Sequence, residues 1–369
     1  MRLPVHPAPD LSHLFPELYA RWMGELLQHA IPEEKRSTCS DCAMCRDPGA
    51  GRDREPVFFN PQVKCCTAHP VLPNFLVGRI LADEQASNSL GRSSVRGRIS
   101  AGAGVTPAGL SAGPAVLELH RSRRAEFGRS VELRCPHLSD EGGGRCSIWQ
   151  NRNSNCSTFF CKFQRGSAGV AFWRGAMQPL LAAVEKALAR WCLLQVGLSA
   201  DALRVLFPPH GSGAPTESDG CNPDGTVDSG VYRALWGQWY GREEAFYREC
   251  SARVEPLGWK EVEAICGAEV SMRARIVEGA KQRLLSEELP ASLVPGFLVV
   301  VGKDEQNTRL WAHNPHDPIE VPNAVVASLE KFDGRPTPEV LEEIATKDGV
   351  QLTPELLRTL VDHDVLVGF

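Results

Sequence analysis

Long apolar runs are missing from this sequence, and no uninterrupted stretch is long enough to span a bilayer. The first ten residues also lack the apolar segment of a secretory signal, because prolines and an acid interrupt them. The formal net charge is only −5 over 369 residues, so the chain has no general attraction to nucleic acid or anionic lipid. These absences predict a cytoplasmic protein with neither a membrane nor a nucleic acid as partner.

Familiar catalytic signatures are missing as well. No Ser-His-Asp set, pair of carboxylates or phosphate-binding loop stands out from the surrounding sequence. The catalytic residues, if the chain is an enzyme, are therefore not defined by the sequence.

Cysteine is what the chain has in quantity. Thiolate sulfur binds zinc and iron–sulfur iron far better than it binds hard cations. Structural disulfides are rare in the reducing cytoplasm, which favours metal binding over disulfide formation. Nine of the thirteen cysteines lie in the first 161 residues, and all nine are predicted metal ligands: Cys39, Cys42, Cys45, Cys65, Cys66, Cys135, Cys146, Cys156 and Cys161.

The first three of these cysteines follow one another at two-residue intervals. A turn-rich loop can direct Cys39, Cys42 and Cys45 at one centre, as in the loop that presents three ligands to a [4Fe–4S] cluster in bacterial ferredoxins. Zinc sites more often show two Cys-x2-Cys pairs separated by a spacer, which favours a [4Fe–4S] cluster and leaves zinc as the alternative. A later cysteine is expected to complete this centre.

Nine cysteines are more than one four-ligand centre uses. Cys146, Cys156 and Cys161, with Cys135 as a further candidate, form the second predicted group. A second site and a buried apolar thiol at Cys65 or Cys66 both stay open. His69 and His137 lie beside cysteines and could be ligands, although a lone histidine is more often a surface or hydrogen-bonding residue. The other four cysteines are expected to be free thiols: Cys192, Cys221, Cys250 and Cys266.

The second group of cysteines resembles the YkgJ-type cysteine-cluster family, which carries a zinc- or iron-chelating domain and includes the flagellin lysine N-methylases. Trp149 stands where the family usually has tyrosine, and Asn153 replaces a customary proline. The family's double cysteine is displaced here to Cys65-Cys66. The resemblance covers about residues 39–163 and implies a metal site and, more distantly, methyl transfer from S-adenosylmethionine. The residues that match are Cys135, Pro136, Leu138, Cys146, Ile148, Arg152, Cys156, Phe159 and Cys161.

Arginines are concentrated between the two groups of cysteines. Guanidinium groups stabilise thiolate charge, and they also bind the carboxylate or phosphate of a cofactor. Arg121, Arg123 and Arg124 are therefore candidate cofactor-binding residues, with S-adenosylmethionine as the candidate cofactor. A solvated helix face is the other interpretation of this cluster.

The predicted fold class is mainly α, with an irregular cysteine-rich metal-binding domain and a small α+β winged-helix-like module. The predicted divisions are residues 1–207 for the cysteine-cluster domain, 208–230 for a linker, 231–290 for a helical block and 291–369 for the module. Apolar spacing predicts long helices over Leu11–Ala30, Asn74–Ser100 and Gly169–Val196.

The carboxy-terminal module has its own pattern. Three short strands, three short helices and a final strand are predicted between Phe297 and Phe369. The order is similar to the PqqD-type winged helix, which implies capture of a peptide by strand addition. From Gly296 onward there are six Lys and Arg against thirteen Asp and Glu, a net charge of −7. That sign opposes DNA binding and favours a protein or peptide partner.

The sequence as a whole predicts an iron–sulfur protein that modifies a protein or peptide substrate, methyl transfer being what the resemblance implies. Two other functions stay open. One is a non-catalytic, zinc-stabilised binding protein, in which the metal contributes folding free energy. The other is a redox sensor that loses its cluster on oxidation.

Overall fold

The computed structural model describes residues 15–28, 31–34, 39, 42, 44–45, 59–85, 88–208, 219–222 and 224–368. The chain is mainly α, as predicted, with small antiparallel sheets. The helices are α1 (Glu17–Leu26), α2 (Asn74–Ala82), α3 (Ser89–Ala101), α4 (Pro114–Ser122), α5 (Ser154–Ser157), α6 (Gly166–Val170), α7 (Gln178–Gln195), α8 (Ala200–Leu206), α9 (Ser229–Trp236), α10 (Glu243–Val254), α11 (Trp259–Cys266), α12 (Ala268–Leu285), α13 (Asn323–Ser328), α14 (Thr337–Lys347) and α15 (Pro354–Asp362). The strands are β1 (Leu72–Pro73), β2 (Val105–Thr106), β3 (Gly109–Leu110), β4 (Leu138–Ser139), β5 (Arg145–Cys146), β6 (Leu293–Pro295), β7 (Val299–Lys303), β8 (Asn307–Trp311), β9 (Ile319–Pro322) and β10 (Leu366–Gly368).

Helix α1 lies inside the range predicted for the first helix. Its buried face contains Leu18, Tyr19 and Trp22, which recur at helical spacing. The first four residues of the predicted range, and its last two, lie outside the described residues.

The helix predicted over Asn74–Ser100 is wrong as a single element, because the structure has two helices there. Helix α2 ends at Ala82, and the next residue, Asp83, has an extended backbone. The Asp83 side chain accepts a hydrogen bond from the backbone N–H of Gln85 at 3.1 Å. Asp and Asn form such local bonds readily and so compete with helix continuation. Arg92 of α3 then donates to the Asp83 carbonyl and holds the break in place.

The helix predicted over Gly169–Val196 is confirmed, with a feature that the sequence does not show. Between α6 and α7 the chain makes a π-helical segment, Ala171–Met177. A π-helical turn shifts the side chains that follow it around the helix axis, and such turns are frequent at functional sites.

One hydrophobic core runs from Phe15 to Leu284 and includes α1, α2, α7 and α9–α12. Helix α10 packs closely along α2 at Gly78, where an added Cβ would lie 1.9 Å from the carbonyl oxygen of Tyr247. The predicted helical block 231–290 and the predicted cysteine domain thus contribute to the same core.

A second core belongs to the carboxy-terminal module and is built by residues between Leu293 and Leu366. Strands β7, β8 and β9 form an antiparallel sheet in that order. The predicted last strand forms as β10, but it pairs with β6, a three-residue strand that the sequence analysis did not identify. The three predicted helices form as α13, α14 and α15.

The module meets the first core immediately after the last motif cysteine. Arg165 forms a two-pronged ion pair with the buried Asp362 of α15. Ser167 donates to the Asp364 carboxylate at 2.6 Å, and Asp317 accepts from the backbone of Phe163 at 3.4 Å. Residues 163–167 therefore connect the cysteine segment directly to the module. None of the described helices is long and apolar enough to cross a membrane.

Candidate metal centre

A single cavity of about 150 Å³ collects most of the predicted ligands. Its other walls are largely apolar and include the rings of Phe127, Trp149 and Phe159, and Arg152 and Arg174 contribute two cations. The seven cysteines that line it come from widely separated parts of the chain: Cys39, Cys65, Cys66, Cys135, Cys146, Cys156 and Cys161. All thirteen cysteines are free thiols.

Buried Lys64 holds two of the cysteine-bearing loops together. Its ammonium group donates to the carbonyls of Cys39 and Gly143, and to that of Gly144 at 3.0 Å. The adjacent Cys66 carbonyl accepts the backbone N–H of Cys135 at 2.8 Å. The first cysteine, the double cysteine and the later motif are thus tied by hydrogen bonds rather than by disulfides.

Cys135 and Cys146 are positioned by a small hairpin. Strands β4 and β5 pair antiparallel so that Leu138 lies opposite Cys146. The backbone N–H of Ser147 also donates to the His137 carbonyl at 2.8 Å. The Gly-rich turn between these strands therefore brings the two cysteines of the Cys-Pro and Cys-x-Ile segments to the same wall.

Cys156 lies on the short helix α5, and two side chains accept hydrogen bonds from backbone N–H groups of this helix. The Asn153 side chain accepts the backbone N–H of Cys156 at 3.1 Å. Buried Glu185 of α7 accepts from the Ser154 backbone at 2.6 Å and from its hydroxyl at 2.8 Å. Tyr19 of α1 donates to the same carboxylate. Burial raises the pKa of Glu185 to about 7, against these stabilising hydrogen bonds.

Four sulfurs interact directly at one end of the cavity. The thiols of Cys42 and Cys65 both hydrogen-bond to Cys161, and Cys65 also bonds to Cys66. Because it accepts from Cys42 and Cys65, Cys161 has its pKa lowered to about 4. Burial acts the other way on Cys135 and Cys156, and raises the pKa of each to about 12. Cys161 and Cys66 are the members of this group whose pKa is lowered, toward the thiolate form in which cysteine binds metal.

Arg152 supplies positive charge inside this group. Its guanidinium lies 3.4 Å from the centroid of the Trp149 ring and donates to the Trp149 carbonyl at 3.0 Å. Burial lowers the pKa of Arg152, while the neighbouring cysteines, Cys146 first, raise it. A buried guanidinium beside several thiolates offsets their charge, which is one of the two roles that the sequence suggested for arginine.

The three arginines predicted to bind a cofactor lie elsewhere. Arg121 and Arg124 are exposed at the end of α4 and just beyond it, and Arg121 pairs with Glu118. Arg123 pairs with Glu126 at 3.5 Å and Glu132 at 2.7 Å. Of the arginines in the described part of the chain, Arg152 and Arg174 line the cavity instead.

The cavity does not divide the predicted ligands into two groups, because both groups contribute to its wall. Cys42 is outside the lining, but its thiol bonds to Cys161, which is part of it. Cys45 forms a backbone bridge with Phe59 and is outside the lining. Within the described ranges, no three His, Cys, Asp or Glu side chains form a group that could hold a metal ion as arranged.

This arrangement still bears on which metal centre the residues fit. A single ion needs its ligands gathered at one point, whereas an iron–sulfur cluster brings its own sulfide and spreads its cysteine ligands over a larger core. Here seven thiols are distributed around one cavity, and the Arg152 guanidinium lies among them. This spread of ligands fits an iron–sulfur cluster better than a single ion. The donors in the lining are mainly cysteine sulfurs, with the imidazole of His137 and no carboxylate, which fits iron–sulfur or zinc rather than a hard cation.

Several residues of the site were not identified from the sequence. Lys64, Arg174 and Glu185 carry no motif, and each acts through a contact with a residue far away in the chain. Arg152 belongs to the motif and could have been placed at the site on that ground. His137 is a wall residue with 1% of its surface exposed, and burial lowers its pKa to about 3.

The chain matches no family model, no curated protein and no solved structure.

Proposed function

We propose that this chain is an iron–sulfur protein whose cluster, of the [4Fe–4S] type, is held in the cysteine-lined cavity. The observation that supports it is the convergence of seven free cysteines from separated segments on one cavity. Chance burial does not explain this convergence, since the thiols face one another and not apolar side chains alone.

The charges around the cavity support the same proposal. Cysteine ligands of a cluster must be thiolates, and a group of thiolates is costly to bury without compensation. Arg152, Lys64 and Arg174 supply part of that compensation. Burial raises the pKa of Cys39 and of Cys156, and Arg152 opposes the rise at Cys39 while Arg174 opposes it at Cys156. At Cys66 the hydrogen bond with Cys65 lowers the pKa most, and the charge of Lys64 lowers it further. When bound, the cluster would supply one-electron chemistry; the residues of this chain hold it and exclude water around it.

The position of the carboxy-terminal module supports a peptide-modifying role near the cluster. His316 of the module packs against Phe127, a wall residue of the cavity, with ring centroids 6.3 Å apart. Edge strand β7 pairs with β8 on one side only among the described residues, and Val300 is 58% exposed on it. A peptide added to this edge, as in a winged-helix module of the PqqD type, would be held on the body that also holds the cavity. We place this activity in the cytoplasm, with S-adenosylmethionine as the methyl donor.

Anaerobic purification followed by metal analysis tests the cluster. We expect brown protein with iron and acid-labile sulfide, and loss of most of both in Cys156→Ser and Cys161→Ser. Cys221→Ser is the matched control, because Cys221 lies in a separate turn bridged to Val227, and it should retain the wild-type iron content. Colourless protein with tightly held zinc would instead establish the zinc-stabilised binding protein. A cluster that oxygen removes reversibly, with no turnover of peptide, would favour the redox sensor.

The methyl-transfer part has its own test. Titration calorimetry of the iron-loaded protein with S-adenosylmethionine should give measurable heat. Binding that is absent at millimolar ligand would remove methyl transfer and leave the cluster proposal intact.

A further inference from the structure

His137 differs from every other polar residue in the wall of the cavity. It follows Cys135 by two residues and is 1% exposed. Its Nε2 atom has no hydrogen-bond partner among the described residues. An unpaired ring nitrogen costs free energy when buried, so it is seldom retained without a use.

The hydrogen bonds of Ser94 determine which nitrogen of this ring carries the proton. The Ser94 hydroxyl lies 2.8 Å from the Pro136 carbonyl and 2.9 Å from His137 Nδ1. A carbonyl only accepts, so the one hydroxyl proton is donated to Pro136. Ser94 must then accept from His137, which places the ring proton on Nδ1.

The remaining nitrogen, Nε2, is consequently left buried with an available lone pair, on a residue that lines the cysteine cavity. A histidine whose Nδ1–H is held by a neighbouring oxygen while Nε2 stays unprotonated is the usual arrangement of a metal-ligating imidazole. Ser94 and the Pro136 carbonyl thus act as the orienting partners of the ring.

We propose that His137 Nε2 is a ligand of the cluster, alongside cysteines. The proposal rests on the iron–sulfur function above and adds to it the identity of one ligand. Imidazole in place of a thiolate removes one negative charge from the ligand set, which raises the reduction potential of a cluster. The centre would therefore accept an electron more readily than one held by cysteine alone.

Pulsed electron paramagnetic resonance of the reduced, iron-loaded protein tests this directly. We expect the nitrogen coupling of a directly bound imidazole, and we expect it to change to the ¹⁵N pattern when the wild-type protein is made with ¹⁵N-histidine. The wild-type measurement needs no variant, so it does not depend on whether a substituted chain folds.

Two substitutions complete the experiment. His137→Cys should keep the iron, lose the coupling and lower the midpoint potential. His69→Ala is the matched control: it removes a histidine that also lies near the cysteines but bonds the Arg134 carbonyl through Nε2 at 3.1 Å and is not a wall residue. It should leave both the coupling and the potential unchanged.

The outcomes separate the two proposals. Iron-loaded protein whose spectrum is insensitive to ¹⁵N-histidine overturns the role of His137 and leaves the cluster standing. Wild-type protein without iron overturns both.

Discussion

Glu185 joins three segments at the level of single side chains. Its carboxylate accepts from Tyr19 of α1 and from both the backbone and the hydroxyl of Ser154, the first residue of the cysteine helix α5. Burial raises its pKa from an ordinary 4.5 to about 7. The folded state therefore binds a proton that the unfolded chain releases between these two pH values.

This difference predicts how stability changes with pH. The contribution of Glu185 is fully present below about pH 4.5 and is lost as pH rises to about 7, because the folded pKa is the higher one. At 1.36 kcal/mol per unit, the loss is roughly 3 kcal/mol. Denaturant unfolding at a series of pH values measures it.

Glu185→Gln is the variant that checks the assignment. Glutamine can keep all three bonds, with its oxygen accepting from Tyr19 and the Ser154 backbone and its amide donating to the Ser154 hydroxyl. The variant should therefore lack the decline between pH 4.5 and 7 without losing the fold. A decline as steep in the variant as in the wild type would show that another group causes it.

The residue scale also shows what could be predicted at the site. A thiol is identified by its chemistry alone, and seven of the nine predicted cysteines line the cavity. The role of Lys64 or Glu185 depends on partners 79 and 31 positions away, respectively, and no local spacing records that. The tautomer of His137 likewise depends on Ser94, which is 43 positions distant.

Close packing of α2 against α10 is the clearest constraint between elements. A Cβ on Gly78 would lie 1.9 Å from the Tyr247 carbonyl oxygen and 2.7 Å from the Ser251 Cβ. The first of these atoms belongs to backbone, so the helices must move apart to accommodate a methyl group.

Gly78→Ala should therefore destabilise the fold by at least about 1–3 kcal/mol, the usual cost of overpacking a core. Gly97→Ala in α3 is the matched control, since nothing lies within 4 Å of the added Cβ. There alanine should stabilise by about 0.5–1 kcal/mol, because glycine is the poorer helix former. Thermal unfolding of the two variants compares them, and equal midpoints would contradict the packing argument.

Helices could be predicted from the sequence where their periodic apolar face is long. Helices α1 and α7 follow such faces, and both lie within their predicted ranges or close to them. The break between α2 and α3 depends on Asp83 and Arg92 bonding across it, a tertiary effect with no periodic signal. Strand β6 is three residues long and exists because β10 returns to pair with it.

At the scale of the whole molecule, Arg165 links the two hydrophobic cores. It donates to the Leu284 carbonyl at the end of α12 at 2.6 Å and pairs with Asp362 of α15, whose side chain is 7% exposed. Removal of one member of a buried pair leaves the other charge without compensation.

Arg165→Ala is expected to cost roughly 2–3 kcal/mol, somewhat below a fully buried pair because the arginine is a quarter exposed. Amide hydrogen exchange should accelerate in α14 and α15 more than in α10, since the module loses its attachment. Arg204→Ala removes an exposed ion pair with Asp201 within α8. It should change neither the free energy of unfolding nor the exchange rates in α14 and α15. Uniform acceleration across both cores would mean that Arg165 stabilises the fold generally and does not link its parts.

The whole-molecule arrangement was the least predictable. Composition and spacing separate residues 1–207 from 231–290, yet α10 packs on α2 and both belong to one core. Long-range packing of this kind is decided by the shapes of the two faces, which a single sequence does not display.

Lys64 gives the cysteine loops a cross-link made of the chain's own atoms. Its three carbonyl contacts join the loop of Cys39 to the turn at Gly143 and Gly144. Part of the ordering entropy of these loops is therefore lost during folding and would not have to be lost when the proposed cluster binds. Binding of the proposed cluster would then require little further ordering of the chain, and a neutral side chain at position 64 would leave more of that ordering to the binding step.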